Sequence, residues 1–220
     1  MRLAALCLVT LLTALAACPS PSPAPPPPPP APPPVVDDGL ATMAPSTKNA
    51  LVWQRGTVLK RGLAKALFVP EEDLCKELDR FDCADTAHQV PLGGNDAFVK
   101  GQYEPLKAPG ATTAIAFDRL ALSACATAVS LESGRPAPFL FRGHALTDDR
   151  LDPSSTEAIE GARFLAVELY KRLHARAPRD AEVNELLTLL TDDEGQGISG
   201  RDYAVLSCFA VAATTETLFF

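Results

Sequence analysis

The last third of the chain carries the most regular alternation of apolar and polar positions. Ile159, Ala162, Ala166, Leu169 and Leu173 recur at the three- and four-residue spacing that lines one face of an α-helix. Ser154-Ser155-Thr156-Glu157 stands before them as a capping box, the serine oxygen accepting from the third backbone amide while the glutamate reaches back, and the helix ends before Pro178. A second helix is predicted over about 180–190, with Val183, Leu186, Leu187 and Leu190 on one side. A third starts at the cap Ser199-Gly200-Arg201-Asp202 and continues over 204–213 with hardly a polar side chain. A helix apolar all round is buried or lies in a membrane. Arg201, Asp202 and Glu216 leave too short a clean run to span lipid, so it is expected to be the central helix of a bundle.

The middle of the chain alternates helical and irregular signals. Pro70 followed by Glu71, Glu72 and Asp73 suits the first turn of a helix, where the ring needs no donor and acids meet the positive end of the dipole; a short helix is predicted over 70–80. Pro91, Gly93, Gly94, Gly101, Pro105 and Pro109 make 90–109 a long loop with at most short strands. Helix returns over 114–131, with Ile115, Leu122, Ala126 and Val129 on one face and Gly134 and Pro136 after it. Residues 136–153 are again irregular.

The amino-terminal residues have a different character. Arg2 is a minimal positive region, and 3–15 is an apolar run of 13 residues, too short to span a bilayer but suited to a secretory signal. Leu15-Ala16-Ala17-Cys18 resembles a bacterial lipobox, which implies cleavage before Cys18 and acylation of its thiol and new amine. Several acyl chains hold a protein durably where one holds it marginally. Pro19 stands where an aspartate commonly retains a lipoprotein in the inner membrane, so the resemblance implies the outer membrane. Of the 21 prolines, 12 fall within 19–34. That stretch is expected to be a polyproline II rod of roughly 50 Å, a spacer more than a ligand for aromatic grooves.

Loss of 1–17 removes Arg2 and no acid, leaving 19 basic groups against 27 acidic ones, a net charge of −8. Such an acidic body lacks the clustered Lys and Arg that phosphate contacts need, so a nucleic-acid partner is not expected. Cys7 leaves with the leader and Cys18 carries lipid, so four thiols remain: Cys75, Cys83, Cys125 and Cys208. In an oxidising envelope they form two disulfides, with three possible connectivities. The expected set is Cys75 with Cys83 as a local clip and Cys125 with Cys208 as a staple between two apolar helices.

Tyr170, Arg176, Pro178 and Glu182, then Arg201-Asp202-Tyr203, Leu206 and Glu216-Thr217-Leu218-Phe219, resemble the C-terminal helical segment of large uncharacterised envelope proteins often fused to c-type cytochrome domains. The resemblance covers about a quarter of the chain and implies an all-helical C-terminal unit; it brings no catalytic residues. Thr217 and Arg179 depart from its pattern.

Catalytic and metal groupings are sparse. Cys83 and His88 lack the second thiol of a haem attachment motif, and with Cys75 they make only three zinc ligands. Asp192-Asp193-Glu194 with Gly195 and Gly197 superficially resembles a calcium loop, but Tyr203 stands where the bidentate glutamate belongs. Ser123 and Ser207 lie in apolar helices and are expected to satisfy backbone carbonyls. His88 and His174 stand alone, whereas His144 has Asp148, Asp149 and Asp152 close in sequence.

The expected fold is therefore mainly α, a small disulfide-stapled helical bundle with long loops. It follows a signal peptide (1–17) and an acylated, proline-rich linker (18–48), and it occupies 49–220. The expected function is that of a non-enzymatic outer-membrane lipoprotein, an interaction or assembly component of an envelope complex such as a motility, secretion or adhesion apparatus. It would bind the membrane through its lipid anchor and an envelope protein through its body, with no cofactor or small-molecule substrate. The alternatives are an accessory subunit of an envelope redox or cytochrome complex, and a hydrolase using His144 with Asp148 or Asp149.

Overall fold

A computed structural model of the chain describes residues 52–78 and 80–219. The leader, Cys18, the proline tract and the first residues of the expected body lie outside them. The described residues are mainly helical: α1 (Gly56–Leu67), α2 (Ala111–Ser133), α3 (Thr156–His174), α4 (Asp180–Thr188), α5 (Gly200–Ala212) and the single turn α6 (Thr215–Leu218). A two-stranded antiparallel hairpin, β1 (Lys76–Glu77) and β2 (Phe81–Asp82), adds the sheet, with Glu77 opposite Phe81.

The centre of the bundle is the pair α2 and α5. Ala121, Ala124 and Ala128 on α2 and Ala204 on α5 are small enough to let the helix backbones approach, and Leu120 and Tyr203 fill the remaining volume. Cys125 and Cys208, both fully buried, are disulfide-bonded across this pair. Around it α3 contributes Ala162, Leu165, Ala166 and Leu169, and α4 contributes Val183 and Leu186. The all-apolar α5 is buried through Tyr203, Ala204, Ser207, Cys208 and Val211, as a central helix should be.

Helix starts follow the capping chemistry, with one shift. Ser199 accepts from the Asp202 amide at 3.0 Å. On α3 the cap is Ser155, which accepts from the Ala158 amide at 3.1 Å, so the expected box between Ser154 and Glu157 does not form. Ser154 instead donates its hydroxyl to Asp152.

Three expectations are corrected. First, 70–80 is not a helix: a short 3-10 turn at Glu71–Asp73 gives way to the hairpin and then to a π-helical turn at Cys83–Ala87. The Cys75–Cys83 disulfide closes that hairpin, and Cys75 and Leu78 take positive φ angles of 44° and 54°, which a continuing helix forbids. Second, of the regular face of α2 only Val129 is buried, and Ile115, Leu122 and Ala126 point outward. Ile115 and Leu122 are 60% and 44% exposed, whereas Ala116, Phe117, Leu120 and Ala121 are buried. Third, Ser123 accepts from the backbone amide of Cys75 at 3.1 Å, and so satisfies a donor of the hairpin rather than a carbonyl of its own helix.

Helix α1 has no counterpart in the sequence reading. Arg55 at its N-cap makes no side-chain capping bond, and it ends on Phe68 in the left-handed region (φ 56°), a position that glycine usually marks. Its buried Lys60 is held by Asp82 at 2.6 Å and Asp85 at 2.8 Å, which ties α1 to the hairpin. Trp53 pairs with Phe219 in an isolated bridge, and Gln54 donates to the Leu218 carbonyl, so both ends of the described fold meet.

Candidate functional site

The irregular segment between α2 and α3 is fixed by one buried carboxylate. Glu132, in the last turn of α2, accepts from the Leu140 amide at 2.8 Å and the Phe139 amide at 2.5 Å, and Arg135 pairs with its other oxygen at 2.9 Å. Leu140 and Phe141 are thereby seated in the core, and the chain then turns to His144. His144 is 6% exposed, and its Nε2 lies 2.8 Å from the Gly200 carbonyl at the start of α5. A carbonyl only accepts, so Nε2 carries the ring proton and Nδ1 keeps its lone pair. Burial holds the pKa below the usual histidine value, with the Gly200 bond opposing it in part.

Two glycines make this seat possible. A Cβ on Gly161 of α3 would lie 2.8 Å from the Gly143 carbonyl oxygen, and one on Gly200 would overlap the carbonyl oxygen of Ala145. The loop that carries His144 thus lies flat on α3 and α5. Between this loop and the N-terminus of α3 is a pocket of about 280 Å³, lined by His144, Leu151, Asp152, Ser155, Glu157 and Gly161 among others. Asp152 accepts from both the hydroxyl and the amide of Ser154, bonds that hold its carboxyl below the usual range.

His144 and Asp152, close in sequence, line the same pocket. Asp148 and Asp149 do not join them: both are exposed, Asp148 faces Arg201 at 3.5 Å, and neither bonds to the imidazole. Ser155, Glu157, Gly161 and Gly200 complete the seat and the pocket; Ser155, Glu157 and Gly200 stood in the sequence as helix-start residues, and nothing marked Gly161. Cys75 is bonded to Cys83 and Cys125 to Cys208, so neither pair is open to metal or haem. Among the described residues, no group of three or more His, Cys, Asp and Glu side chains is placed to hold a metal ion. Asp192 closes its own turn by accepting from the amides of Glu194 and Gln196, and Arg150 pairs with it at 3.2 Å. His88 meets Glu77 at 3.0 Å, and Arg119 of α2 reaches the same carboxylate oxygen at 2.6 Å.

The residues of the C-terminal resemblance converge. Arg176, after α3, forks onto Glu182 of α4 and Glu216 of α6, with nitrogen to oxygen distances of 2.7 to 2.9 Å, and its guanidinium lies 4.8 Å from the Tyr170 ring centroid. Arg176 and Arg179 hold the Glu182 carboxyl far below its usual range. Glu182 also accepts from the Arg179 backbone amide at 2.7 Å, supplying the cap that the Arg179 side chain does not.

A second exposed feature is the turn closed by the bridge between Asp96 and Gln102. The Asp96 carboxylate accepts from the Val99 amide at 3.0 Å, and the Lys100 ammonium reaches the Ala87 carbonyl at 3.3 Å. This fixed turn leaves Phe98 and Val99 fully solvated at 101% and 84% exposure, with Tyr103 beyond it at 76%. No protein-family model, no curated protein and no solved structure matches the chain.

Proposed function

We propose that the protein is an outer-membrane lipoprotein, anchored through acylated Cys18, whose helical body docks on another envelope protein as a non-enzymatic assembly component. The anchor rests on the tetrad Leu15-Ala16-Ala17-Cys18 and the proline tract after it. The observation that carries the docking role is the turn around Phe98. An aromatic side chain on a backbone already ordered by hydrogen bonds gives up only its own two torsions when a partner buries it, which is the property of interface anchors.

The test has two arms. Cys18→Ser should release the chain from the membrane fraction; unchanged maturation and fractionation would remove the anchor. A photo-crosslinker at Phe98, Val99 or Tyr103 in the acylated chain should give one discrete adduct in living cells. Absence of an adduct from all three positions would remove the docking surface. The cluster of Arg176, Glu182 and Glu216 favours a second reading, an accessory subunit of an envelope redox or cytochrome complex, since these residues carry the resemblance to cytochrome-fused proteins. Co-migration with a haem-staining band is its test.

A further inference from the structure

We propose that the pocket beside His144 binds a primary ammonium group on a short alkyl stem. Its charged and ring groups are all acceptors: Nδ1 of His144 and the carboxylates of Asp152 and Glu157. Nδ1 carries a lone pair because Nε2–H is committed to the Gly200 carbonyl, and no donor among the described residues reaches it. It is also open. His144 is more than nine-tenths buried, yet Nδ1 is not sealed from solvent as Nδ1 of His174 is, and it lies beside Gly161, which lines the pocket. A buried imidazole with an unpartnered lone pair at a cavity wall asks for a donor.

Charge decides between a cationic and an anionic donor. The N-terminus of α3 presents the equivalent of about half a positive charge. Two acidic residues, Asp152 and Glu157, line the same space, and their two negative charges outweigh that half charge, so an anion is repelled and a cation drawn in. The oxygen of Ser155 already accepts from the Ala158 amide and Oδ1 of Asp152 from Ser154, which leaves Oδ2 of Asp152, the Glu157 carboxylate and His144 Nδ1 as acceptors. Leu151, Ala145 and Ala158 supply apolar wall for methylene groups, and about 280 Å³ suits a group the size of a side chain better than a drug-sized molecule. An alkylammonium has the matching chemistry: three donors, one positive charge and an apolar stem. It can come from a free alkylamine or from a lysine of a bound protein, and either source is independent of the lipid anchor and of the Phe98 turn.

Calorimetric titration of the full acylated chain in detergent tests this with butylamine, butanol, butyrate and Nα-acetyl-lysine amide. Saturable binding of butylamine with none of butanol or butyrate supports the site and a free amine as ligand. Binding of the lysine derivative alone supports the site and assigns it to a partner's side chain. Asp152→Asn and Glu157→Gln, both at exposed positions, should each weaken binding by roughly fivefold, the upper range for one solvent-exposed ion pair. The His144 Nδ1 resonance should move on titration. Butyrate binding as well as butylamine, binding unchanged in both variants, or no saturable binding of either ammonium probe would each overturn the proposal.

Discussion

Nδ1 of His174 stops 4.0 Å from a Glu216 carboxylate oxygen and, sealed from solvent, makes no hydrogen bond. Its other nitrogen lies 3.2 Å from the Val211 carbonyl, so Nε2 carries the proton and Nδ1 turns a lone pair toward a carboxylate. Burial holds the His174 pKa below its ordinary value, although Glu216 pulls the other way; Arg176 opposes protonation and Glu182 favours it. His144 is shifted in the same direction, also by burial. A histidine whose pKa falls on folding binds fewer protons in the native state than in the unfolded chain, so acid favours unfolding. This stabilisation is complete above the unfolded value near 6.5 and is lost as pH falls through the lower folded values. The slope reaches at most about 1.4 kcal/mol per pH unit for each histidine. A second loss should begin below about 4.5, where Glu216 takes up its proton in the unfolded chain while Arg176 still holds it off in the native one. Denaturant midpoints measured against pH should show both windows, and His174→Gln should flatten the upper one. An upper window that is unchanged in both His174→Gln and His144→Gln would refute the assignment.

The two disulfides should differ in worth by the length of chain they close. Cys125 and Cys208 are 83 residues apart and Cys75 and Cys83 only eight. On the chain-entropy model, replacing the first pair by alanine costs about 4.5 kcal/mol and replacing the second about 2.5 kcal/mol. The long staple also joins the two helices at the centre of the core, so its loss should lower the cooperativity of unfolding. Chemical denaturation of the two double variants gives the comparison; equal costs would show that native strain or residual unfolded structure outweighs loop closure.

Signals that act within one turn were legible in the sequence. Ser199 caps α5 as expected and α3 is capped one residue later than expected, at Ser155, and the even count of thiols pointed to the bonds that form. Signals that depend on a neighbour were not. Ile115 and Leu122 repeat as regularly as core residues, and only the position of α5 on the opposite side shows that they face water. The acids after Pro70 read as a helix start because the residues that break it, Cys75 and Leu78, take left-handed conformations under a disulfide formed later in the chain. His144 stood out by its aspartates, yet its partner is a backbone carbonyl 56 residues away, which no side-chain pattern encodes. Nothing in the sequence separates Glu132 from an ordinary surface acid at the end of a helix, because the amides it accepts lie seven and eight residues further on.

That glutamate should be among the costliest polar positions to truncate. Glu132 is 2% exposed and receives two close backbone amides besides Arg135. Glu132→Ala strands the amides of Phe139 and Leu140 in the core, at about 3 kcal/mol or more. Glu132→Gln keeps one acceptor oxygen for them and should cost about half as much. Amide exchange of Leu140 should accelerate in the alanine variant well before the exchange of α5 does. Equal exchange rates in wild type and Glu132→Ala would mean that apolar packing alone holds the segment.

Gly200 should tolerate no side chain, because a Cβ there overlaps the Ala145 carbonyl oxygen and both partners are backbone. Gly200→Ala must therefore push the 143–147 segment off α5, and with it the His144 imidazole off the Gly200 carbonyl. The expected cost is about 3 kcal/mol, the upper range for overpacking a core. Gly134 provides the control at the end of α2: its φ is −83°, and a Cβ there would meet only the Leu131 carbonyl oxygen, at 3.9 Å. Gly134→Ala should leave stability unchanged or raise it by up to about 1 kcal/mol through the unfolded chain. Thermal denaturation of the two variants separates steric exclusion from a general glycine effect. Should Gly200→Ala melt with Gly134→Ala, the loop does not press on α5, and the seat inferred for His144 fails with it.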